Sequence, residues 1–207
     1  MKVTRTLALL AFAVVSTIGG SALVAGNAVA ATLHDSPPDL AFIDMMMMHH
    51  DQAIAMARMV ETKGQLPQLK EFAARVIADQ EKDKGELQGL RDRFFADQPK
   101  ADKMRMPGKT MTMAEMQRMS EMDMRKLEAA SGKEFDHTFL DLLTKHHQMA
   151  IGMSRSEIAG GKQAEVKDFA RRTIDKQSKE IREMREMMRQ VGGAPGRARG
   201  RSMRGRA

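Results

Sequence analysis

At 207 residues the chain can build one filled core with appendages, and a composition rich in Ala, Leu, Met, Glu, Lys, Arg and Gln with eight Phe and no Trp or Tyr favours helices over strands. The absence of cysteine excludes disulfide staples, thiolate metal sites and a cysteine nucleophile. The net charge of +7 is terminal: Lys2, Arg5, Arg197, Arg199, Arg201, Arg204 and Arg206 set aside, residues 31–191 carry 27 basic and 27 acidic side chains, so no nucleic-acid partner is expected.

In residues 1–30, Lys2 and Arg5 precede an uncharged apolar stretch from Leu7 to Ile18, and Ala28-Val29-Ala30 offers small residues for cleavage. This is the pattern of a signal peptide, with a mature chain starting at Ala31 and a periplasmic or other extracytoplasmic destination. The alternative is an uncleaved membrane anchor, which Gly19, Gly20, Ser21, Gly26 and Asn27 would dilute. In an oxidising compartment a soft-metal site without cysteine must use histidine nitrogen and methionine sulfur.

Residues 31–191 read as one duplicated helical domain, with repeats at 39–96 and 136–191. At an offset of 97 residues, Phe42-Ile43-Asp44 falls on Phe139-Leu140-Asp141, His49-His50 on His146-His147, Met56 on Met153, Gly64 on Gly161, Gln80 on Gln177 and Asp83 on Glu180. Each copy predicts helix, turn, helix. Asp39 and Asp136 are placed to cap first helices of about 24 residues, roughly 36 Å long, and Gly64 and Gly160-Gly161 to stop them at positive φ. The second helices carry Leu69, Ala73, Val76, Leu87, Leu90 and Phe94, and Val166, Ala170, Thr173, Met184 and Val191, near the spacing of a bundle seam. Two such hairpins clasped about a pseudo-twofold axis give an all-α four-helix bundle.

The connector, 97–132, is too long for a simple loop, and Thr112 to Ala130 predicts a fifth, crossing helix. It carries Met104, Met106, Met111, Met113, Met116, Met119, Met122 and Met124, a density that suits capture of a soft ion. A competing reading is an adaptable surface for a partner helix. The Gly- and Arg-rich tail, 192–207, lacks apolar periodicity and reads as a disordered segment able to contact anionic surfaces weakly.

The candidate chemistry sits at the paired histidines. His49 shares a helical face with Met45, Met46, Gln52 and Met56, and His146 shares one with Leu142, Leu143, Met149 and Met153. Adjacent residues diverge by about 100°, so one histidine of each pair can face the bundle centre while the other lines the neighbouring groove. Gln80, Asp83, Gln177 and Glu180 lie near the seam and are candidates to orient the imidazoles by accepting their ring protons. The competing reading, core histidines satisfied by hydrogen bonds with methionine as filler, weakens because both pairs recur at matching places. A di-iron centre would need Glu-x-x-His on two helices, and only Glu134 to His137 has that spacing. No hydrolase triad order or phosphate loop stands out, so no enzyme is expected.

The paired motifs Phe42-x6-His49-His50-x2-Ala53-Ile54-x-Met56 and Phe139-x6-His146-His147-x2-Ala150-Ile151-x-Met153, with Gln177-x2-Glu180-Ile181-x2-Met184, resemble the domain-of-unknown-function 305 family over about residues 39 to 190. The resemblance implies a ferritin-like fold and an exported copper-binding metallochaperone, with a copper-exporting or copper-oxidising protein as its partner. It places His49, His50, Met56, His146, His147 and Met153 in the family motif. The expectation is a protein that sequesters or delivers copper, with Cu(I) favoured at the Met-rich segment, where Met111, Met113 and Met116 would serve, and Cu(II) at the histidines. The other expectation retained is a non-catalytic module that docks a partner through its methionines.

Overall fold

Four long helices arise where the repeat predicts apolar periodicity, and a computed structural model describes them within residues 36–192. Helix α1 spans Pro38–Lys63 and α2 Pro67–Phe95; α4 spans Gly132–Gly160 and α5 Ala164–Gly192. Prolines at the first turns of α1 and α2 suit positions whose amides have no helical partner. The predicted leader, and the tail beyond residue 192, lie outside the described residues. Among the described residues no helix is long and apolar enough to cross a membrane.

Five helices pack into one bundle. Helix α1 packs on α2, α4 on α5, and α1 on α4. The α1–α4 pair is antiparallel, because the start of each meets the end of the other. Asp39 near the start of α1 accepts from the amides of Lys162 and Gln163, at 2.7 to 3.0 Å, and Asp136 accepts from those of Gln65 and Leu66, at 2.9 and 3.1 Å. These carboxylates therefore cap the second helix of the opposite hairpin. They do not cap their own helices, whose N-caps are Pro37 and Ser131. Helix α2 faces α5 through Arg75–Glu183, Arg172–Glu86 and Arg93–Glu165 ion pairs.

The turn glycines work differently from the expectation. Gly64 (φ −64°, ψ 135°) and Gly161 (φ −67°, ψ 158°) are extended, not left-handed. Glycine is needed for room: a Cβ at 64 would lie 2.7 Å from both Val60 Cγ1 and Val60 O, and one at 161 would overlap the Glu157 carboxylate.

The connector forms the predicted helix, α3 at Met113–Ala129, started by a capping box in which Thr112 accepts from the Glu115 amide and Glu115 accepts from that of Thr112. Gln52 donates to Met116 O, and Lys63 to the carbonyls of Leu127 and Glu128, so α3 runs parallel to α1. Before it, β1 (Lys103–Met106) and β2 (Lys109–Thr112) form an antiparallel hairpin. The fold is thus mostly helical and not purely α. Pro107 leads into Gly108, at φ 75°, a pair suited to a tight turn.

Candidate metal centre

Each long helix passes from one apolar cluster to another, and the polar residues expected at the seam fall in between. One cluster joins Ala53 to Val60 of α1, Leu69 to Val76 of α2, Phe135 to Leu143 of α4 and Ile181 to Met187 of α5. The other joins Leu40 to Met46, Leu87 to Phe95, Ala150 and Met153, and Val166 to Ala170. Between them lie His49, His50, Gln80, Asp83, His146, His147, Gln177 and Glu180, all buried. Position 97 residues apart thus becomes proximity at mid-bundle.

His49 and His146 meet at the centre, their rings stacked with centroids 3.5 Å apart. His49 Nε2–H donates to the His146 carbonyl at 3.0 Å, which leaves the Nδ1 lone pair outward from that bond. His50 and His147 turn towards the second helix of their own hairpins. His147 Nε2 lies 2.7 Å from Glu180, whereas His50 Nε2 stands 3.7 Å from Asp83. Both oxygens of Asp83 accept from Lys176, at 2.8 and 2.9 Å. Of the four residues proposed to take ring protons, Glu180 does so within hydrogen-bond distance. The glutamines do not: Gln80 Oε1 and both polar atoms of the Gln177 amide have no partner.

Burial lowers the pKa of His49 and His146 well below the ordinary imidazole value, and their histidine neighbours add to the effect. Burial also lowers that of His50, outweighing the opposing pull of Asp83. These rings are therefore neutral at physiological pH, the state in which an imidazole offers a lone pair to a metal. Six buried ring nitrogens have no hydrogen-bond partner: Nδ1 of all four histidines, with Nε2 of His50 and His146. Each such orphan costs about 1–3 kcal/mol. A layer that leaves so many unmet fits a ligand that takes nitrogen donors.

The sulfurs are distributed unequally. Met45, Met46, Met104, Met111, Met116 and Met153 are buried together in one apolar cluster, with Met113 and Met149 half-buried against it. Met56, the repeat equivalent of Met153, belongs to the other cluster. That end takes Leu142 and Leu143 where the first copy has Met45 and Met46, and its buried methionines are Met56, Met184 and Met187, so buried sulfur is denser in the other cluster. Met104 joins this cluster through the β-hairpin, which the sequence reading did not place. Among the described residues no three His or carboxylate side chains are grouped to hold a metal by themselves.

The fold and site together define a class: a bundle of two matching hairpins with a buried imidazole layer beside a thioether cluster. The chain belongs to the family described as Domain of unknown function (DUF305), whose pattern matches residues 39–188. It is similar to CopM in the Cu(II)-bound form, with 30% identity, 73% of this chain and 96% of that chain covered, and a TM-score of 0.60. CopM in the Cu(I)-bound form gives 29% identity, coverage of 75% and 98%, and a TM-score of 0.59. A putative secreted DUF305 protein from Streptomyces coelicolor shares the fold at 23% identity, with coverage of 77% and 97% and a TM-score of 0.63. Among curated proteins none matches the chain.

Proposed function

We propose that this is an exported, non-enzymatic copper-binding protein that sequesters or delivers the ion. His49, His50, His146 and His147 supply nitrogen, and Met45, Met46, Met149 and Met153, with Met111, Met113 and Met116 of the connector, supply sulfur; Met56 serves from the opposite end. The observation that carries this reading is the layer of six unpartnered, buried ring nitrogens next to a methionine cluster. Support comes from the likeness to CopM, solved in Cu(II)-, Cu(I)- and Ag-bound forms. Thioether donors favour Cu(I), and the imidazoles accept either oxidation state.

In this reading residues 1–30 direct export and are removed, and residues 31–191 form a ferritin-like duplicated bundle. The tail, 192–207, contacts anionic surfaces, and a copper-exporting or copper-oxidising protein receives the ion. A second reading, a docking module, draws on Met122, which is 48% exposed beside a groove lined by Met111 and Met119. Equilibrium dialysis of the mature chain against Cu(I), Ag(I) and Zn(II) separates them. The copper reading expects tight retention of Cu(I) and Ag(I), lowered when all four paired histidines become Ala; a docking module retains none.

A further inference from the structure

The two hairpins complete the imidazole layer differently. In the second, Glu180 holds His147 Nε2 at 2.7 Å. In the first, Asp83 occupies the matching place yet both its oxygens are taken by Lys176 Nζ, and His50 Nε2 stands 3.7 Å away with neither ring nitrogen hydrogen-bonded. Lys176 comes from α5, the opposite hairpin, and its side chain is about one-third exposed, at 31%. The residue 97 positions earlier is Asp79, of opposite charge, so the repeat supplies no lysine at the equivalent place for Glu180.

We infer that Lys176 is a positioning residue that holds Asp83 off His50, leaves that ring unanchored while His147 is fixed, and so makes the first half of the layer the weaker soft-metal site. A carboxylate that accepts one ring N–H fixes the tautomer, aims the remaining lone pair and raises its basicity; losing such a partner typically lowers metal affinity by about 10- to 100-fold. The ammonium of Lys176 adds a second effect of the same sign, since a fixed cation near the site disfavours another. The repeats differ here at two positions, the shorter Asp83 against Glu180 and Lys176 against Asp79, and the second exchange sets a cation on the carboxylate of the first half. It yields a tight half anchored by Glu180 and a labile half at His50, an arrangement suited to a protein that must both hold and release its ion. This inference rests on the copper reading for its affinity, though not for its contact.

The test uses the full chain with Lys176→Met, Lys176→Arg and Asp79→Lys variants. Long-range proton–nitrogen spectra of the metal-free proteins should show His147 locked with its proton on Nε2 and His50 without a fixed tautomer. In Lys176→Met, Asp83 should turn to His50 and give it a His147-like signature; Lys176→Arg should keep the wild-type pattern, and Asp79→Lys should loosen His147. Cu(I) competition titrations should then show the weaker site of Lys176→Met tightened about tenfold, with Lys176→Arg unchanged. An unaltered His50 spectrum in Lys176→Met overturns the contact, and an altered spectrum with unaltered affinity overturns its consequence for metal. A wild-type chain that binds no Cu(I) would overturn the copper reading and the affinity claim with it, while the spectra still decide what Lys176 does to Asp83.

Discussion

Glu157 sits buried near the end of α4 where the first copy has Val60, and neither carboxyl oxygen has a hydrogen-bond partner. Close by, the Asp39 carboxylate is committed to the amides at the start of α5. Burial, followed by the charge and side chain of Asp39, pushes the Glu157 pKa from 4.5 up to about 8, with Lys167 pulling the other way. At neutral pH the native protein therefore keeps a proton that the unfolded chain has released. Stability must fall as pH rises through the interval from 4.5 to about 8, then level off. At 1.36 kcal/mol per pH unit the interval would be worth about 5 kcal/mol, and solvent relaxation around the ionised group reduces this to about 2 kcal/mol. Glu157→Gln keeps the shape and removes the titration. Urea unfolding followed by far-ultraviolet circular dichroism should find the variant close to wild type at about pH 4.5 and more stable by about 2 kcal/mol at about pH 9. A difference that stays constant across that range would refute the reasoning.

His49 and His146 have pKa values lowered by burial, so their contribution runs the opposite way: it is complete above the unfolded value of 6.5 and is lost as pH falls below it, where the unfolded chain binds protons that the native layer refuses. Acid titration of the Glu157→Gln protein by circular dichroism should expose this loss beginning near pH 6.5. Asp136→Ala should destabilise the bundle by about 2–3 kcal/mol in urea, because it strands the Gln65 and Leu66 amides at the start of α2. Gly64→Ala should cost about 1–3 kcal/mol through contact with Val60, whereas Gly85→Ala, with nothing within 4 Å inside α2, should stabilise by about 0.5–1 kcal/mol; thermal melts of the pair compare the two effects directly.

The seam and the layer were legible in the sequence because helical periodicity and the 97-residue repeat are properties of one strand of text. His49, His50, His146 and His147, with Gln80, Asp83, Gln177 and Glu180, all arrive at mid-bundle as that periodicity requires. What was misread depended on neighbours. Asp39 and Asp136 resemble local caps, but their carboxylates reach amides 70 to 124 residues away, a choice made only when the hairpins clasp. Gly64 and Gly161 look like left-handed stops, while the real constraint is the side chain one turn earlier. Lys176 gave no sign of its role, since a half-buried helical lysine acquires meaning only from the Asp83 opposite it. The β-hairpin was readable from Pro107-Gly108, and the many methionines around it masked that signal.

X-ray absorption at the copper edge of the Cu(I)-loaded protein tests the central claim most directly, because imidazole rings scatter in a pattern that thioether sulfur cannot produce. The account predicts nitrogen from imidazole and sulfur from methionine in the same first coordination shell, with the imidazole pattern lost when His49, His50, His146 and His147 are replaced. A shell of sulfur alone, unchanged by those replacements, would contradict it and leave the buried histidines without a metal.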